Sequence, residues 1–182
     1  MHNFGELEAM SVEEIKKVLL KSGAWPFLKQ RPYGIVADPT CIPKALYVST
    51  IDTAPLQVDF EFLLKNKSEA FQTGIDVLAK LIGQPIKLGI SPLEADNYKA
   101  FENVDIYTVE GPHPAGNVSV HIQKISPINP NEKVWVVQPE DVANIGKLFQ
   151  EKTFSALQSI INSVPKGFHK MCETPILGLF LV

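Results

Sequence analysis

Cysteine is scarce in this sequence, which contains only Cys41 and Cys172 among 182 residues. They lie far apart, and neither has a further Cys or a His at the spacing of a zinc site. A disulfide framework and a zinc centre are therefore not expected, and we expect both thiols to be reduced. The sequence also lacks a Ser-His-Asp or Cys-His set, an H-E-x-x-H motif, an EF-hand loop and a Walker sequence.

Concentrated positive charge and long apolar runs are absent as well. The 17 Lys and Arg residues are outnumbered by 20 Asp and Glu, and they form no block or stripe. Such a chain has no electrostatic footprint for nucleic acid. No window approaches the length of a membrane span, and residues 1–10 lack the basic start and apolar run of a signal peptide. We expect a globular chain that binds no nucleic acid and has no direct membrane span.

The hydrophobic pattern alternates between strand-like and helical periods, which predicts an α/β fold with a mainly parallel sheet and flanking helices. The capping box Ser11-Val-Glu-Glu14 begins a helix that ends at Gly23. Helical spacing returns from Ser68 to Gly83, and again after Pro139 as far as Phe149. The predicted strands are residues 44–50, 86–90, 104–109 and 133–138.

Other segments are less regular. The aromatic and proline-rich connector that runs from Trp25 to Pro43 is predicted to be neither helix nor central strand, and its aromatics are predicted to cover a sheet edge. Residues 118–122 fit either a short strand or the first turn of a helix. Residues 154–164 keep a helical spacing that Pro165-Lys-Gly167 breaks, and 175–182 form a last core strand or an apolar tail. We therefore divide the chain into an N-terminal helix and connector (1–43), an α/β domain (44–150) and an atypical tail (151–182).

The loop Gly111-Pro-His-Pro-Ala-Gly-Asn117 follows the third predicted strand and is the candidate ligand loop. Gly111 and Gly116 occupy the outer positions of a G-x-G-x-x-G fingerprint, but His113 fills the middle position, where pyrophosphate needs a bare backbone. The two prolines have no N–H to offer an anion. The loop is predicted to bind neither flavin nor dinucleotide phosphate.

The candidate site residues lie in this loop and in the helix or strand that follows it. They are Gly111, His113, Gly116, Asn117 and His121. His113 either donates a hydrogen bond to a quinone oxygen or a partner subunit, or it locks the loop through a hydrogen bond to backbone, and the second interpretation is slightly favoured. Asp52 either contacts a ligand at the end of the first predicted strand or forms a turn, and the turn is favoured. No residue is predicted to be catalytic or to bind a metal.

Several stretches occur in one order that resembles a known family. They are Ser22-Gly-Ala-Trp-Pro-Phe27, Arg31-Pro-Tyr-Gly34, Ser49-Thr-Ile-Asp-Thr-Ala-Pro-Leu56, Gly111-Pro-His-Pro-Ala-Gly116, His121-Ile122, Val134-Trp135 and Gln138-Pro-Glu-Asp-Val-Ala-Asn-Ile-Gly-Lys-Leu-Phe149. Together they resemble the middle portion of the A subunit of the bacterial sodium-translocating NADH:quinone reductase. Related subunits of the Rnf electron-transport complexes share a similar His-Pro-Ala-Gly loop.

The resemblance implies a Rossmann-like domain similar to the flavin domain of the NADH-oxidising subunit of complex I, but without bound flavin. It also implies a peripheral, cofactor-free subunit on the cytoplasmic face of the bacterial inner membrane, linked to assembly and to the quinone site. NADH, FAD, FMN, riboflavin and iron-sulfur centres would then be bound by partner subunits. The partner of most interest would be the membrane subunit that carries the quinone site.

The chain departs from the family at both ends. It opens at the region before the Rossmann-like domain, and residues 150–182 match neither the segment nor the domain that follows in the family. We therefore expect a fragment of the family's polypeptide that is not catalytic alone. The alternative is a stand-alone flavin- or nucleotide-binding oxidoreductase domain, which the fold class permits and the filled glycine position disfavours.

Overall fold

A six-stranded sheet organises the computed structural model, which describes residues 7, 9–54, 60, 64, 66–154, 157–163, 169–175 and 180–181. The strands are β1 Lys29–Arg31, β2 Ile35–Val36, β3 Leu46–Ser49, β4 Ile86–Ile90, β5 Val104–Thr108 and β6 Val134–Val137. Their spatial order is β2-β1-β6-β3-β4-β5. The pairs β6–β3, β3–β4 and β4–β5 are parallel, whereas β1 is antiparallel to both of its neighbours. The four predicted strands and the mainly parallel α/β sheet are confirmed.

The helices are α1 Val12–Ser22, α2 Ser68–Ile82, α3 Ala95–Tyr98, α4 Val118–Ile125 and α5 Pro139–Glu151, with 3-10 turns at Trp25–Phe27 and Pro92–Glu94. The capping box at Ser11 and Glu14 is present, and α1 ends at Gly23 in the left-handed conformation. The predicted starts and ends of the three main helices are therefore confirmed to within a residue or two. Within the described ranges, none of the helices has the length and apolar character needed to cross a membrane.

One face of the sheet carries the larger core, formed with α1, α2 and α5. Helices α2 and α5 approach with their backbones in contact, because Gly74 and Gly146 face each other's helix. A Cβ added at Gly146 would lie 1.7 Å from the Ala70 carbonyl oxygen, and one at Gly74 would lie 2.0 Å from the Val142 carbonyl oxygen. The opposite face has a smaller cluster that α4 covers, formed by Ala45, Tyr47, Ile122, Val134 and Val136.

The connector differs from its prediction, because it supplies β1, which lies inside the sheet between β2 and β6. The residues of β1, Lys29–Arg31, are all polar, so no apolar run marks the strand, and backbone pairing with β6 holds it in place. Trp25 does not cover a sheet edge. It packs edge-to-face on Trp135 of β6 at 5.7 Å between ring centroids, and its indole N–H donates to the Ala37 carbonyl at 2.7 Å.

Two further segments are now assigned. Residues 118–122, which fit either period, begin helix α4. The helical spacing of residues 154–164 is misleading, since Leu157–Ser163 is a strand, β8, paired antiparallel with β9, His169–Pro175. The apolar residues of this seven-residue segment, Leu157, Ile160 and Ile161, are too few to fix a period, and pairing with β9 decides between helix and strand. Short strands β7 Thr153–Phe154 and β10 Phe180–Leu181 also pair. The predicted break at 165–167 and most of the apolar end at 175–182 lie outside the described residues.

Candidate functional site

The candidate loop lies where the order of the parallel strands reverses. The chain passes from β3 to β4 and β5 on one side and then returns to β6 on the other side of β3. Ligands of open α/β sheets bind outside the carboxyl ends of the strands at such a switch point. Here His113, Gly116 and Asn117 of the loop help to line a cavity of about 270 Å³. Ser49, the last residue of β3, and Gln138, which follows β6, line the same cavity. We call it the switch-point cavity.

Thr53 fixes the loop above this cavity. The Gly116 N–H donates to the Thr53 hydroxyl oxygen at 3.0 Å, and the same hydroxyl lies 3.3 Å from His113 Nδ1. Because the oxygen already accepts from Gly116, its proton is available to donate to His113. A Cβ at Gly116 would lie 2.5 Å from the Thr53 nitrogen and 2.9 Å from Asp52 backbone atoms. A glycine is needed here for close approach of two backbones.

Most backbone donors of the loop are used or absent. Pro112 and Pro114 have no N–H. Of the next three N–H groups, at residues 115–117, two donate to the carbonyls of those prolines at 2.8 and 2.9 Å, and the middle one donates to Thr53. Gly111 opens the loop at a φ of +142°, which a residue with a side chain adopts only with strain. The loop therefore presents no free backbone N–H from 114 to 117 to an anion.

His121 of α4 supports the loop from beneath and is 3% exposed. Its Nε2 lies 2.6 Å from the Ala115 carbonyl oxygen, so Nε2 carries the proton and donates. Nδ1 then accepts from the Tyr107 hydroxyl at 3.1 Å. That hydroxyl lies over Gly89, where a Cβ would be 2.7 Å from it. Burial lowers the pKa of His121, which the hydrogen bond to Ala115 partly opposes, and the ring is neutral near pH 7.

Two helix N-termini lie at the site, and neither suits an anion. The Asn117 side chain caps α4 itself, since its Oδ1 accepts the Ser119 N–H at 2.9 Å. Helix α5 begins with Pro139, and Glu140 and Asp141 follow in its first turn. Burial, together with the Glu140 charge, raises the pKa of Asp141 to about 6. The negative charge of these two side chains disfavours a phosphate at the start of α5.

The structure brings the five predicted site residues into one region, with different exposures. Gly111, His113 and Asn117 are exposed, Gly116 is buried against the Thr53 segment, and His121 is buried below. Gly111 and His113 also border a second, open groove of about 910 Å³ outside β3, β4 and β5. Their role as quinone or partner contacts stays a prediction.

Sequence reasoning missed two residues of the region, Thr53 and Tyr107. Asp52 accepts the Ala54 N–H at 2.9 Å, which is the turn geometry that the sequence favoured, and it also borders both openings. Thr53 adjoins this turn but has no motif of its own. Tyr107 lies in a strand whose apolar and polar residues alternate, and an aromatic residue in such a strand is expected to pack rather than to support a loop.

The fold has a counterpart among solved structures. A chain in the crystal structure of an NAD+-reducing NiFe hydrogenase matches with a TM-score of 0.53 and 14% identity, over 94% of this chain and 40% of that chain. At this identity the match shows a shared fold and nothing about activity.

Sequence relatives are more specific. The A subunit of the Na(+)-translocating NADH-quinone reductase of Alcanivorax borkumensis is 34% identical over 162 residues, which are 89% of this chain and 36% of the relative. The subunit of the same name from Pseudomonas aeruginosa is 35% identical over 146 residues, 79% of this chain and 32% of the relative. This chain thus spans about a third of the length of the curated relatives it matches. The family model of the NqrA second alpha/beta domain matches residues 10–154. The chain belongs to the NqrA second alpha/beta domain family, as the order of its motifs indicated.

Proposed function

We propose that this chain is a cofactor-free α/β module of the A subunit of a sodium-translocating NADH:quinone reductase. In this proposal it sits on the cytoplasmic face of the bacterial inner membrane, helps to assemble the complex and contributes to the quinone site. NADH, FAD, FMN, riboflavin and iron-sulfur centres are bound by partner subunits. The module contacts those subunits, above all the membrane subunit that carries the quinone site.

The observation that carries this proposal is the closure of the loop over the switch point, in a chain whose relatives bear the name of that complex. A nucleotide-binding Rossmann domain offers N–H groups from a glycine loop and a helix N-terminus. Here the N–H groups of residues 115–117 donate to Pro112, Pro114 and Thr53. The chain keeps the fold, but most of the backbone N–H donors that a flavin or dinucleotide phosphate needs are used within the loop. This favours a module that acts by contacting other subunits.

A contact role suits the outer surface of the loop. His113 is exposed, and in the tautomer whose Nδ1 accepts from the Thr53 hydroxyl, Nε2 carries the ring proton. An Nε2–H anchored through Nδ1, in a loop with a proline on each side of His113, is a directed donor for a quinone oxygen or a partner carbonyl. His121 serves this arrangement by holding Ala115 from below.

The proposal is tested by exchange into a relative. The matching region of the A subunit of the Alcanivorax borkumensis reductase is replaced by residues 10–154 of this chain, and the complex is purified through another subunit. We expect the exchanged subunit to co-purify and the complex to retain sodium-dependent NADH:quinone reductase activity. A matched exchange that carries His113→Ala is expected to assemble and to raise the quinone KM.

Failure of the exchanged subunit to co-purify, while the native subunit does so, would contradict the assembly role. An unchanged quinone KM in the His113→Ala exchange would contradict the quinone contact alone. The visible spectrum of the purified 182-residue chain distinguishes the cofactor-free module from a flavin-binding domain, because bound flavin absorbs blue light. A colourless protein agrees with the proposal, and a yellow protein supports the alternative.

A further inference from the structure

Arg31 is the only arginine in the sequence, and the other 16 of the 17 Lys and Arg residues are lysines. It is the last residue of β1 and is half-buried. Its Nε is fully buried and has no hydrogen-bond partner among the residues that the structure describes. No carboxylate among the described residues lies within ion-pair distance of its guanidinium. A buried guanidinium nitrogen without an acceptor is costly, and this guanidinium is available to pair with an anion in the cavity beside it.

Arg31 lies in the wall of the switch-point cavity, together with other side chains that can donate. The Oδ1 of Asn117 is used in capping α4, which leaves its amide N–H groups as donors. Gln138 and His113 line the same cavity. Ser49 contributes nothing to a ligand, because its hydroxyl donates to the Ile51 carbonyl and accepts the Ile51 N–H.

We infer that the switch-point cavity binds a small carboxylate, held by the Arg31 guanidinium as a bidentate pair and by the Asn117 amide. A planar carboxylate fits the two parallel N–H groups of a guanidinium fork, which a lysine cannot offer. A volume of about 270 Å³ holds a small organic acid or the acid end of a larger ligand, and it is below the usual size of a cofactor site. This site is independent of the proposed place of the chain in a reductase.

Phosphate is disfavoured at the same place by the surrounding groups. Its additional oxygens need further N–H donors, and neither residues 114–117 of the loop nor the capped start of α4 supplies them. Asp52 shares the wall, and Glu140 and Asp141 begin α5, so a dianion meets more repulsion than a monocarboxylate. Asp52 is engaged with the Ala54 N–H and does not pair with Arg31. These acids keep the expected affinity modest.

A single arginine makes a direct test available. In the 182-residue chain labelled with nitrogen-15, the one arginine Nε–Hε signal reports on Arg31 alone. The chain is titrated with acetate, succinate, phosphate and chloride at constant ionic strength. We expect acetate to shift this signal saturably, with a dissociation constant of about 1–10 mM, and the succinate dianion to bind more weakly. Phosphate and chloride are expected to shift it at least tenfold less at the same concentration.

Two variants extend the test. Arg31→Lys keeps the charge and removes the fork, and the backbone amides of Asn117 and Gln138 then report binding; we expect at least a tenfold loss of acetate affinity. Lys99→Gln, at an exposed lysine, is the control and is expected to bind as the unaltered chain does. The absence of a saturable acetate shift in the unaltered chain, or an equal shift with chloride or phosphate, would overturn the inference whether or not Arg31→Lys folds.

Discussion

The two faces of the central sheet are built in different ways. On one face, α2 and α5 pack with Gly74 and Gly146 in backbone contact, over a core that is almost wholly apolar. On the other face, helix α4 covers a small cluster, and the polar groups of Tyr107 and His121 are buried with it. The first face is specified by shape, and the second by hydrogen bonds.

The difference shows how this fold separates stability from the site. Close packing on the helical face leaves no room for adjustment, and every candidate site residue lies away from it. The hydrogen-bonded face ends in the chain Tyr107–His121–Ala115, which reaches the loop from below, while Thr53 holds it from the side. Changes on the helical face should therefore alter global stability, and changes on the other face should alter the position of the loop.

The largest effect is expected at the contact between α2 and α5. Gly146→Ala places a Cβ 1.7 Å from the Ala70 carbonyl oxygen, so the two helices must separate. We expect a loss of about 3 kcal/mol in the free energy of unfolding, measured by urea denaturation. Lys147→Ala, the neighbouring position on α5, is the control and should change stability by less than about 0.5 kcal/mol. Equal stability of both variants would show that the helices are not in the described contact.

A smaller and more local effect is expected at Gly116. An added methyl group there would lie 2.5 Å from the Thr53 nitrogen, which forces the loop away from its anchor. We expect Gly116→Ala to lose about 1–2 kcal/mol and to shift the amide signals of Thr53 and His113. Pro112→Ala, at an exposed loop position, should leave the Thr53 amide signal in place. Retention of the Thr53 signals in Gly116→Ala would break the distinction between the two faces.

A pair of tyrosines tests the hydrogen bonds on the α4 face. The rings of Tyr47 and Tyr107 pack edge-to-face at 6.2 Å, but only the Tyr107 hydroxyl has a partner, His121. The Tyr47 hydroxyl is buried without a hydrogen-bond partner in the described part of the chain. We expect Tyr107→Phe to cost about 1 kcal/mol, and Tyr47→Phe to be neutral or slightly stabilising. The reverse order in thermal denaturation would contradict the described network.

The smallest predicted effect is a pH dependence of opposite sign on the two faces. His121 has a lowered pKa, so its contribution is present above pH 6.5 and is lost as the pH falls through the folded value. Asp141 has its pKa raised from 3.8 to about 6, so its contribution is present below pH 3.8 and is lost as the pH rises through 6. Asp141→Asn should therefore gain about 1 kcal/mol at pH 7.5 relative to pH 4.

His121→Gln tests the other sign. It should weaken the fold at pH 7.5 and flatten the loss of stability that occurs as the pH falls below 6.5. Denaturation midpoints measured across pH 4–8 check both variants. If both curves changed with the same sign, the assignment of burial at one of the two groups would be wrong.

Much of this architecture could be predicted from the sequence, because apolar periodicity and end signals are local. The four parallel strands and the three main helices follow from such signals, and so does the loop after β5. Helix α4 cannot be assigned from its period alone, although Asn117 is a favoured N-cap residue two positions before Ser119. This N-cap signal is short, and the helix has only eight residues, whose apolar and polar side chains also fit the alternation of a strand.

The errors share one physical origin, which is pairing between distant segments. Lys29–Arg31 has no apolar residue, and only its partners β2 and β6 make it a strand. Leu157–Ser163 has helical spacing, and β9 makes it a strand. In the site, Thr53 and His113 are 60 residues apart in the chain. No local pattern encodes such a contact, so the candidate residues could be listed from the sequence while their anchor could not.

The central claim is that the closed loop leaves this Rossmann-like domain without a nucleotide site. Calorimetric titration of the purified chain with FMN and with NADH tests it most directly, and His113→Gly serves as the companion variant. A gain of weak affinity in that variant would assign the block to the side chain, and no gain would assign it to the prolines and the occupied N–H groups. For the unaltered chain we predict no binding heat with either FMN or NADH. Binding at micromolar or tighter affinity, about −8 kcal/mol or better, would contradict it.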